Sequence, residues 1–284
     1  RVGQYVKPGQ ALFQLVDNGQ WWVDANFKED QIRRIRPGMN AGIKLDMYLA
    51  PPSEAVFAAL DAGLRAVLTK AGIDLSASFG AGFAVGQVCG ITYATAPAGQ
   101  LRYLATMVAD DPAVPAGHYN SLLITPRQGG LTTPADFDPA RHKAVINETG
   151  SFSGNLTFTA HMAADNNSGL GTALVSGAHL DSVAMVARGE ADLAAIDRVS
   201  FALARRAMPD AVAGVAVIGE TRPYPGIPFV ADASLPDDVV SRLRDAILGF
   251  RDDPAWHDMK AVLGICDIII LDEDLYPPMA RVAA

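Results

Sequence analysis

The strand–helix turn Gly150-Ser151-Phe152-Ser153-Gly154 follows an apolar run at 143–147 and precedes a segment at 155–164 that we interpret as a helix. The first N–H groups of a helix have no acceptors within the helix, and the helix dipole favours negative charge at that end. Glycine lets the backbone approach a ligand closely, and each serine adds a hydroxyl donor. The turn therefore predicts a site for a small anion. The alternative is an ordinary N-cap, in which Ser151 or Ser153 closes the helix without binding a ligand.

Strands and helices alternate along most of the chain on both sides of this turn. The predicted strands lie at 85–93, 101–108, 121–125, 173–177, 191–196, 215–218 and 265–271. The predicted helices lie at 52–68, 181–188 and 236–250. The second of these helices stops at Gly189, which suits a helix C-terminus. This alternation predicts an α/β fold with largely parallel sheets.

The composition limits what the protein can be. The chain has 284 residues, of which 50% are hydrophobic, enough for one large core or two modest ones. A formal net charge of −8 argues against nucleic acid or an anionic membrane surface as a partner, although one small anion can still be bound locally. No apolar run reaches the roughly 18 residues of a membrane-spanning helix.

Neither a metal site nor a cofactor is expected. The five histidines are scattered, without paired spacing on one helix face. The two cysteines, Cys89 and Cys266, form neither a disulfide framework nor a zinc set. We expect both cysteines to be buried free thiols. The alternative is a single disulfide bridge between them.

A second strand–helix turn carries a histidine, in Gly177-Ala178-His179-Leu180-Asp181-Ser182. In open α/β sheets, ligands bind outside the carboxyl ends of the strands, so both turns can face one crevice. His179 would then donate a hydrogen bond, or a charge when protonated, to the same anion. The alternative is a histidine whose hydrogen bonds are satisfied locally at the start of a helix. Turns at 89–93 and 117–121 carry tyrosines that belong either to the core or to a ligand site.

Residues 1–47 differ in composition from the rest of the chain. They hold seven Lys or Arg and five Asp or Glu, a balance of +2, against −10 for the remainder. Lys7-Pro8-Gly9 and Arg36-Pro37-Gly38 mark turns between short alternating runs, which predicts antiparallel strands. Together with 3–10 and 22–29, these stretches resemble HlyD-like membrane fusion proteins, the periplasmic adaptors of multidrug efflux pumps. The resemblance implies a partial lipoyl and β-barrel segment of adaptor type.

A different resemblance covers residues 45–280. The stretches that carry it are, in order, 45–52 with Met47-Tyr48, Gln87-Val88-Cys89-Gly90, Tyr119-Asn120-Ser121, 147–154, 177–182, 186–197 and 221–228. They resemble PhnD-like proteins, the periplasmic phosphate- and phosphonate-binding components of ABC transporters. The resemblance implies a type II periplasmic-binding fold, in which two α/β lobes joined by hinge strands close on a ligand. It divides the chain into a first lobe, 48–122 and 222–284, and a second lobe, 123–221.

The same resemblance implies roles for individual residues. In such proteins a Ser-x-Ser-Gly turn holds the phosphonate oxygens, with help from the histidine and a tyrosine. The residues that match this site are Ser151, Phe152 through its backbone N–H, Ser153, Gly154, His179 and Tyr119. The residues expected on the facing lobe are Tyr48 and Tyr93. Asp197 would face the cleft and receive an amine or a hydroxyl, but Val199 replaces one acidic residue of the family, which argues against 2-aminoethylphosphonate.

The leading hypothesis is a monomeric periplasmic solute-binding protein, not an enzyme, that delivers a phosphorus oxyanion to an ABC permease. An efflux adaptor is the alternative that rests on residues 1–47. A hydrolase built on Ser151 or Ser153 with His179 is a third hypothesis. It is disfavoured because no nucleophile elbow places either serine.

Overall fold

The computed structural model describes residues 69, 72, 85–166 and 169–282. The adaptor-like segment at 1–47, the helix predicted at 52–68 and Tyr48 therefore lie outside the described residues. The described residues from 85 to 282 form two lobes, each built on its own β-sheet with helices packed against it.

The first lobe is built on a four-stranded antiparallel sheet. Its strands, in the order in which they lie side by side, are β1 (Val85–Gln87), β10 (Pro228–Asp232), β2 (Leu101–Ala109) and β11 (Ile265–Ile269). Its helices are α1 (Gly90–Thr95), α6 (Asp237–Gly249), α7 (Pro254–Leu263) and α8 (Pro277–Ala280).

Helix α6 shows why these residues form a lobe. Val240, Leu243 and Ile247, three and four residues apart, lie on one helical face and are buried in the core of the first lobe. Phe250 and Trp256 complete this core with an edge-to-face ring contact of 5.8 Å between centroids. The sheet and the helices α6 and α7 therefore share one apolar core.

The second lobe is built on a five-stranded mixed sheet. Its strands, side by side, are β6 (Leu174–Val175), β5 (Ala144–Ile146), β7 (Leu193–Asp197), β4 (Ser121–Pro126) and β8 (Val215–Glu220). Its helical segments are a π-helix (Phe152–Leu156), α2 (Thr157–Asn166), α3 (His179–Ala187), α4 (Arg198–Ala207) and α5 (Pro209–Val212).

The inner strands of this second sheet are buried on both faces. Val145 of β5 packs into the cluster that contains α3 residues, whereas Ala144 and Ile146 pack into the cluster that contains α2 residues. Successive residues of a strand point to opposite faces, so one short strand serves two apolar layers. The run at 193–196 is accordingly apolar throughout and almost fully buried.

Two short strands join the lobes. β3 (His118–Tyr119) pairs in antiparallel register with β9 (Tyr224–Pro225), His118 opposite Pro225 and Tyr119 opposite Tyr224. The chain enters the second lobe through β3 and β4 and leaves it through β8 and β9. This arrangement gives the hinge strands of a type II periplasmic-binding fold; the division of the lobes at 122/123 and 221/222 stays a prediction.

The strand predicted at 85–93 is wrong in its second half. β1 ends at Gln87, and helix α1 begins at Gly90. Ile91, Thr92 and Tyr93 have the β-branched and aromatic character of a strand, but tertiary packing overrides this preference. A Cβ atom at Gly90 would lie 2.8 Å from Met279 Cε, so the absence of a side chain lets the start of this helix pack closely against α8.

The expectation of largely parallel sheets also fails for the described strands. Among them, only the pairs β5–β6 and β5–β7 are parallel, and every other pair is antiparallel. In the second lobe, the antiparallel pairing of β4 with β8 has a physical reason. The chain enters the lobe from the hinge along β4 and returns to the hinge along β8. Because these two strands lie side by side, they must run in opposite directions.

Most other predicted elements are confirmed within a few residues, including β2, β4, β5, α3 and α6. The prediction missed β10 and the helices α4 and α7. The segment 198–207 follows β7 without a break, and the segment 228–232 is buried throughout and shows no alternation. Helix α7 does carry the usual signals, since it begins at Pro254 and is followed by Gly264, and the prediction overlooked them.

Candidate ligand-binding cleft

A cavity of about 290 Å³ lies between the lobes. The first lobe and β3 contribute Gln87, Cys89, Ile91, Thr92, Met107, Ala109, His118, Tyr119, Gly226, Ile227, Leu263 and Ile265 to its wall. The second lobe contributes Asn147, Glu148, Gly150, Ser151, Phe152, Ser153, His179, Asp197 and Val199. Most of the polar residues stand where a strand has just ended, the position at which open α/β sheets bind ligands.

The turn after β5 opens into a π-helix. Ser151 is its N-cap, and its Oγ accepts a hydrogen bond from Gly154 N at 3.1 Å. Leu156 N donates to Ser151 O at 3.0 Å, the five-residue step that widens the first turn. Single π-turns are rare and occur often at functional sites. Ser151 both caps this helix and lies on the cavity wall.

The backbone N–H groups of Phe152 and Ser153 begin this helix at the cavity wall. A helix start leaves such groups without acceptors within the helix. The Phe152 ring is 2% exposed and packs edge to face on Tyr224, with 4.9 Å between centroids. Since the ring is held in the core, Phe152 can offer a ligand only its backbone.

Ser153 and His179 bring the two strand–helix turns together. Ser153 Oγ lies 3.1 Å from His179 Nε2, and His179 begins α3 with only 3% of its surface exposed. The carbonyl of Ser153 accepts hydrogen bonds from Ser121 Oγ at 2.8 Å and Thr157 Oγ1 at 3.1 Å. The serine backbone is thus fixed by β4 and α2 while its hydroxyl stays beside the histidine.

Gly154 lies behind the wall instead of on it. A Cβ atom here would collide with Asn147 Oδ1 and lie 2.9 Å from His179 Cε1. Glycine is therefore needed for the close approach of the helix start to both polar side chains. Its part in the cleft is to allow this packing.

Tyr119 and Asp197 also lie on the cavity wall, as the family resemblance implies. Burial raises the pKa of the Tyr119 phenol well above its ordinary value, so the hydroxyl remains a donor. Asp197 caps α4, and its Oδ1 accepts a hydrogen bond from Ser200 N at 2.8 Å. One carboxylate oxygen of Asp197 is therefore already used by the protein.

Tyr93 is placed away from the cleft. Its hydroxyl donates to Glu273 Oε2 at 2.9 Å, and its ring lies 5.2 Å from that of Tyr276. The change from strand to helix at Gly90 turns this side chain towards the C-terminal segment. Tyr93 therefore does not line the described cavity, and the position of Tyr48 lies outside the described residues.

Both cysteines are free thiols, so the alternative of a bridge between them is not realised. Cys89 is half-buried on the cavity wall, and burial raises the pKa of its thiol. Cys266 is exposed, contrary to the expectation of two buried thiols, because it lies at an irregularity of the edge strand β11.

Several wall residues were not assigned from the sequence, among them Gln87, Asn147, Glu148 and His118. Gln87 ends β1 and Asn147 follows β5, so the strand-end rule could have found both. Glu148 is exposed and no periodic pattern marks it. His118 lies in the predicted turn at 117–121, which the sequence analysis singled out only for its tyrosine.

The charges on this wall are unusual for an anion site. Of the described residues, no lysine or arginine lines the cavity, and its acidic side chains are Glu148 and Asp197. An anion here would be bound by helix N–H groups, hydroxyls and a histidine. Such neutral donors act locally and do not require a positive net charge.

Within the described residues, no group of three His, Cys, Asp or Glu side chains could hold a metal ion. The described helices include none that is long and apolar enough to span a bilayer.

Comparison with known proteins identifies relatives of most of the chain. A family model for the periplasmic substrate-binding protein of phosphonate ABC transporters matches residues 32–276. A binding protein component of an ABC phosphonate transporter from Pseudomonas aeruginosa superposes with a TM-score of 0.66 and 18% identity, covering 83% of this chain and 82% of that one. PhnD1 from Prochlorococcus marinus, solved in complex with methylphosphonate, gives a TM-score of 0.59 and 13% identity over 78% and 81% of the two chains. At these identities the structural matches show the fold alone.

A second group of relatives is matched only over a short stretch. The probable multidrug resistance protein EmrK from Escherichia coli and the multidrug export protein EmrA from Haemophilus influenzae are each 46% identical to this chain over 48 residues. That stretch is 17% of this chain and 12% of each relative. The chain thus spans about an eighth of the length of these curated relatives.

Proposed function

The chain belongs to the family of periplasmic substrate-binding proteins of phosphonate ABC transporters, and on this basis we propose that it captures a phosphonate-like or phosphate-like oxyanion in the cleft. No bond is broken in this role. The observation that carries the proposal is the contact of two strand–helix turns, with Ser153 Oγ 3.1 Å from His179 Nε2 beside the N–H groups that begin the π-helix.

The chemistry of these donors suits a phosphorus oxyanion. An oxyanion carries several acceptor oxygens, and the site offers the Ser151 and Ser153 hydroxyls, the Phe152 and Ser153 amides, His179 and the protonated Tyr119. Hydrogen bonds to a charged group contribute roughly 1.5–3 kcal/mol each. Several of them in a closed cleft supply the free energy of capture.

We infer from the family role that the protein acts in the periplasm, where it would deliver its ligand to an ABC permease. Two lobes joined by paired hinge strands support this role, because hinged closure around a ligand creates a different surface from the open state. The adaptor-like segment at 1–47 does not oppose it, since efflux adaptors are matched over only 12% of their length.

A hydrolase is the second candidate, because a serine hydroxyl beside a histidine is also the start of a catalytic triad. Ser153, however, is the second residue of the π-helix and does not stand at a nucleophile elbow, the strained turn that exposes a catalytic serine. We therefore expect no turnover of a simple ester such as p-nitrophenyl acetate above the rate of the His179→Ala variant.

Calorimetric titration of the full chain tests the proposal with phosphate, phosphite, methylphosphonate, 2-aminoethylphosphonate and sulfate. We expect saturable binding of at least one phosphorus oxyanion and a raised unfolding midpoint with the same compound, because a ligand that binds only the native state stabilises it. Sulfate is the control for general anion binding. Equal affinity for sulfate, or no binding of any phosphorus compound, would contradict the proposal.

A further inference from the structure

The cavity is larger than a bare oxyanion requires. Its volume of about 290 Å³ is close to the roughly 300 Å³ at which pockets for small organic ligands begin. The donors proposed for the oxyanion lie mainly on the second lobe, with Tyr119 at the hinge. The half of the cavity that faces the first lobe is therefore available to another part of the ligand.

That half is mostly apolar. The apolar side chains that the first lobe contributes are Ile91, Met107, Ala109, Ile227, Leu263 and Ile265. Val199 of the second lobe lines the same cavity. Apolar walls favour an apolar group because its contact with them removes both surfaces from water.

One polar group in the first lobe lacks a partner. Gln87 is the last residue of β1, and its Nε2 is buried with no hydrogen-bond partner among the described residues. Buried donors in folded proteins are nearly always satisfied, so an orphaned one on a cavity wall points to an acceptor on the ligand. An amide N–H₂ group can serve a carbonyl, ether or hydroxyl oxygen, but it has nothing to offer an ammonium group, which only donates.

Among the described residues, the other polar groups of this half carry no carboxylate. Cys89 is a thiol whose pKa is raised by burial, and His118 holds the Ala116 carbonyl through Nδ1 at 3.0 Å. The two carboxylates of the cavity, Glu148 and Asp197, both belong to the second lobe. Among the described residues, an ammonium tail that lay against the first lobe would therefore find a countercharge only across the cleft, on the second lobe.

We propose that the ligand is an organophosphonate with an uncharged, largely apolar substituent, which lies against the first lobe and presents an acceptor oxygen to Gln87. This inference rests on the proposed function, since it assumes that the phosphonate group occupies the Ser153–His179 end. It assigns Gln87 a role in specificity. It also explains why the cleft is apolar on one side and rich in donors on the other.

Calorimetry with the full chain and four phosphonates tests this inference. The compounds are methylphosphonate, 3-oxobutylphosphonate, its hydrocarbon isostere 3-methylbutylphosphonate, and 3-aminopropylphosphonate. We expect 3-oxobutylphosphonate to bind at least tenfold more tightly than methylphosphonate, with 3-methylbutylphosphonate between them and 3-aminopropylphosphonate weaker than both tailed neutral compounds.

The Gln87→Met variant removes the donor while keeping the length of the side chain. We expect the preference for the oxo compound over its hydrocarbon isostere to fall to near one in this variant. Gln128→Met, at an exposed turn after β4, is the matched control and should keep the preference. A preference that survives Gln87→Met would overturn the role of Gln87.

The outcomes separate this inference from the proposed function. If methylphosphonate binds and neither neutral tail strengthens binding, the apolar subsite is wrong and the oxyanion site stands. If the aminopropyl compound binds most tightly, the acidic residues of the second lobe select the tail and the inference is overturned. If no phosphonate binds, both proposals fall. The relative affinities of the four phosphonates for the unsubstituted chain decide these cases even if a variant does not fold.

Discussion

Ser153 and His179 belong to different strand–helix turns, 26 positions apart, and their side chains meet at 3.1 Å. The histidine is almost fully buried, so its orientation is set by the protein before any ligand arrives. A hydroxyl fixed beside a ring nitrogen loses little conformational entropy on binding. At the scale of single residues, preorganisation of this pair is the main feature of the cleft.

Replacing either member of the pair should weaken capture of the oxyanion. We expect Ser153→Ala and His179→Ala each to lower the affinity for the phosphorus oxyanion by on the order of tenfold or more, because each leaves charge on the ligand without a donor. Calorimetric titration measures the loss. Ser241→Ala and His257→Ala, both exposed, are the matched controls. Unchanged affinity in both site variants would show that the anion binds elsewhere.

The start of the π-helix depends on close packing at the scale of an element. Gly154 lies where a Cβ atom would meet Asn147 Oδ1, and Asn147 itself is buried at the end of β5. The helix can approach β5 and α3 only because this position has no side chain. The geometry of the turn proposed to bind the anion therefore depends on one glycine.

Gly154→Ala should reduce stability and ligand affinity together. We expect it to lower the free energy of unfolding by about 1–3 kcal/mol, because the added methyl group forces backbone shifts in a packed region. Urea unfolding monitored by circular dichroism measures the change. Gly249→Ala is the matched control, since no atom lies within 4 Å of its added Cβ, and it should be neutral or slightly stabilising. A neutral result for Gly154→Ala would mean that the turn adapts more easily than its contacts suggest.

Arg198 links the lobes at the scale of the whole molecule. From the start of α4 its guanidinium donates to Asn120 Oδ1 at 2.6 Å in the hinge region and to Asp111 Oδ2 at 3.2 Å in the first lobe. It also pairs with Glu220 at the end of β8. Only 11% of its side chain is exposed, so these contacts are better shielded from solvent than an ordinary surface pair.

Arg198→Met should loosen this junction. We expect the free energy of unfolding to fall by about 1–3 kcal/mol, because Asn120 and two carboxylates lose a charged donor. Arg198→Lys should restore little of the loss, since one ammonium cannot reach three partners in the planar arrangement of a guanidinium. Arg242→Met is the control, because its pair with Asp238 is exposed and contributes at most a few tenths of a kcal/mol. Equal effects of the two methionine variants would show that the junction is not important for stability.

Much of the candidate site could be predicted from the sequence. The errors of that prediction have identifiable causes. Ser151, Phe152, Ser153, His179, Tyr119 and Asp197 all line the cavity. They stand in turns that local patterns mark and whose order along the chain resembles a known family. Tyr93 was misplaced because a strand-like run folded as a helix against Met279. Gln87 was missed because the strand was predicted to continue to residue 93, which hid the strand end at Gln87.

The sequence alone determined the family, which the match over residues 32–276 confirms, and the alternation of strands and helices. It also determined the position of the strand–helix turn at 150–154, because helix starts and strand–helix turns depend on a few neighbouring residues. Only the tertiary structure decided the strand directions, the helix at Gly90 and the apolar wall opposite the donors. Those features arise from contacts between segments far apart in the chain, such as Gly90 with Met279 and Met107 with Ile268, and no local pattern encodes such contacts.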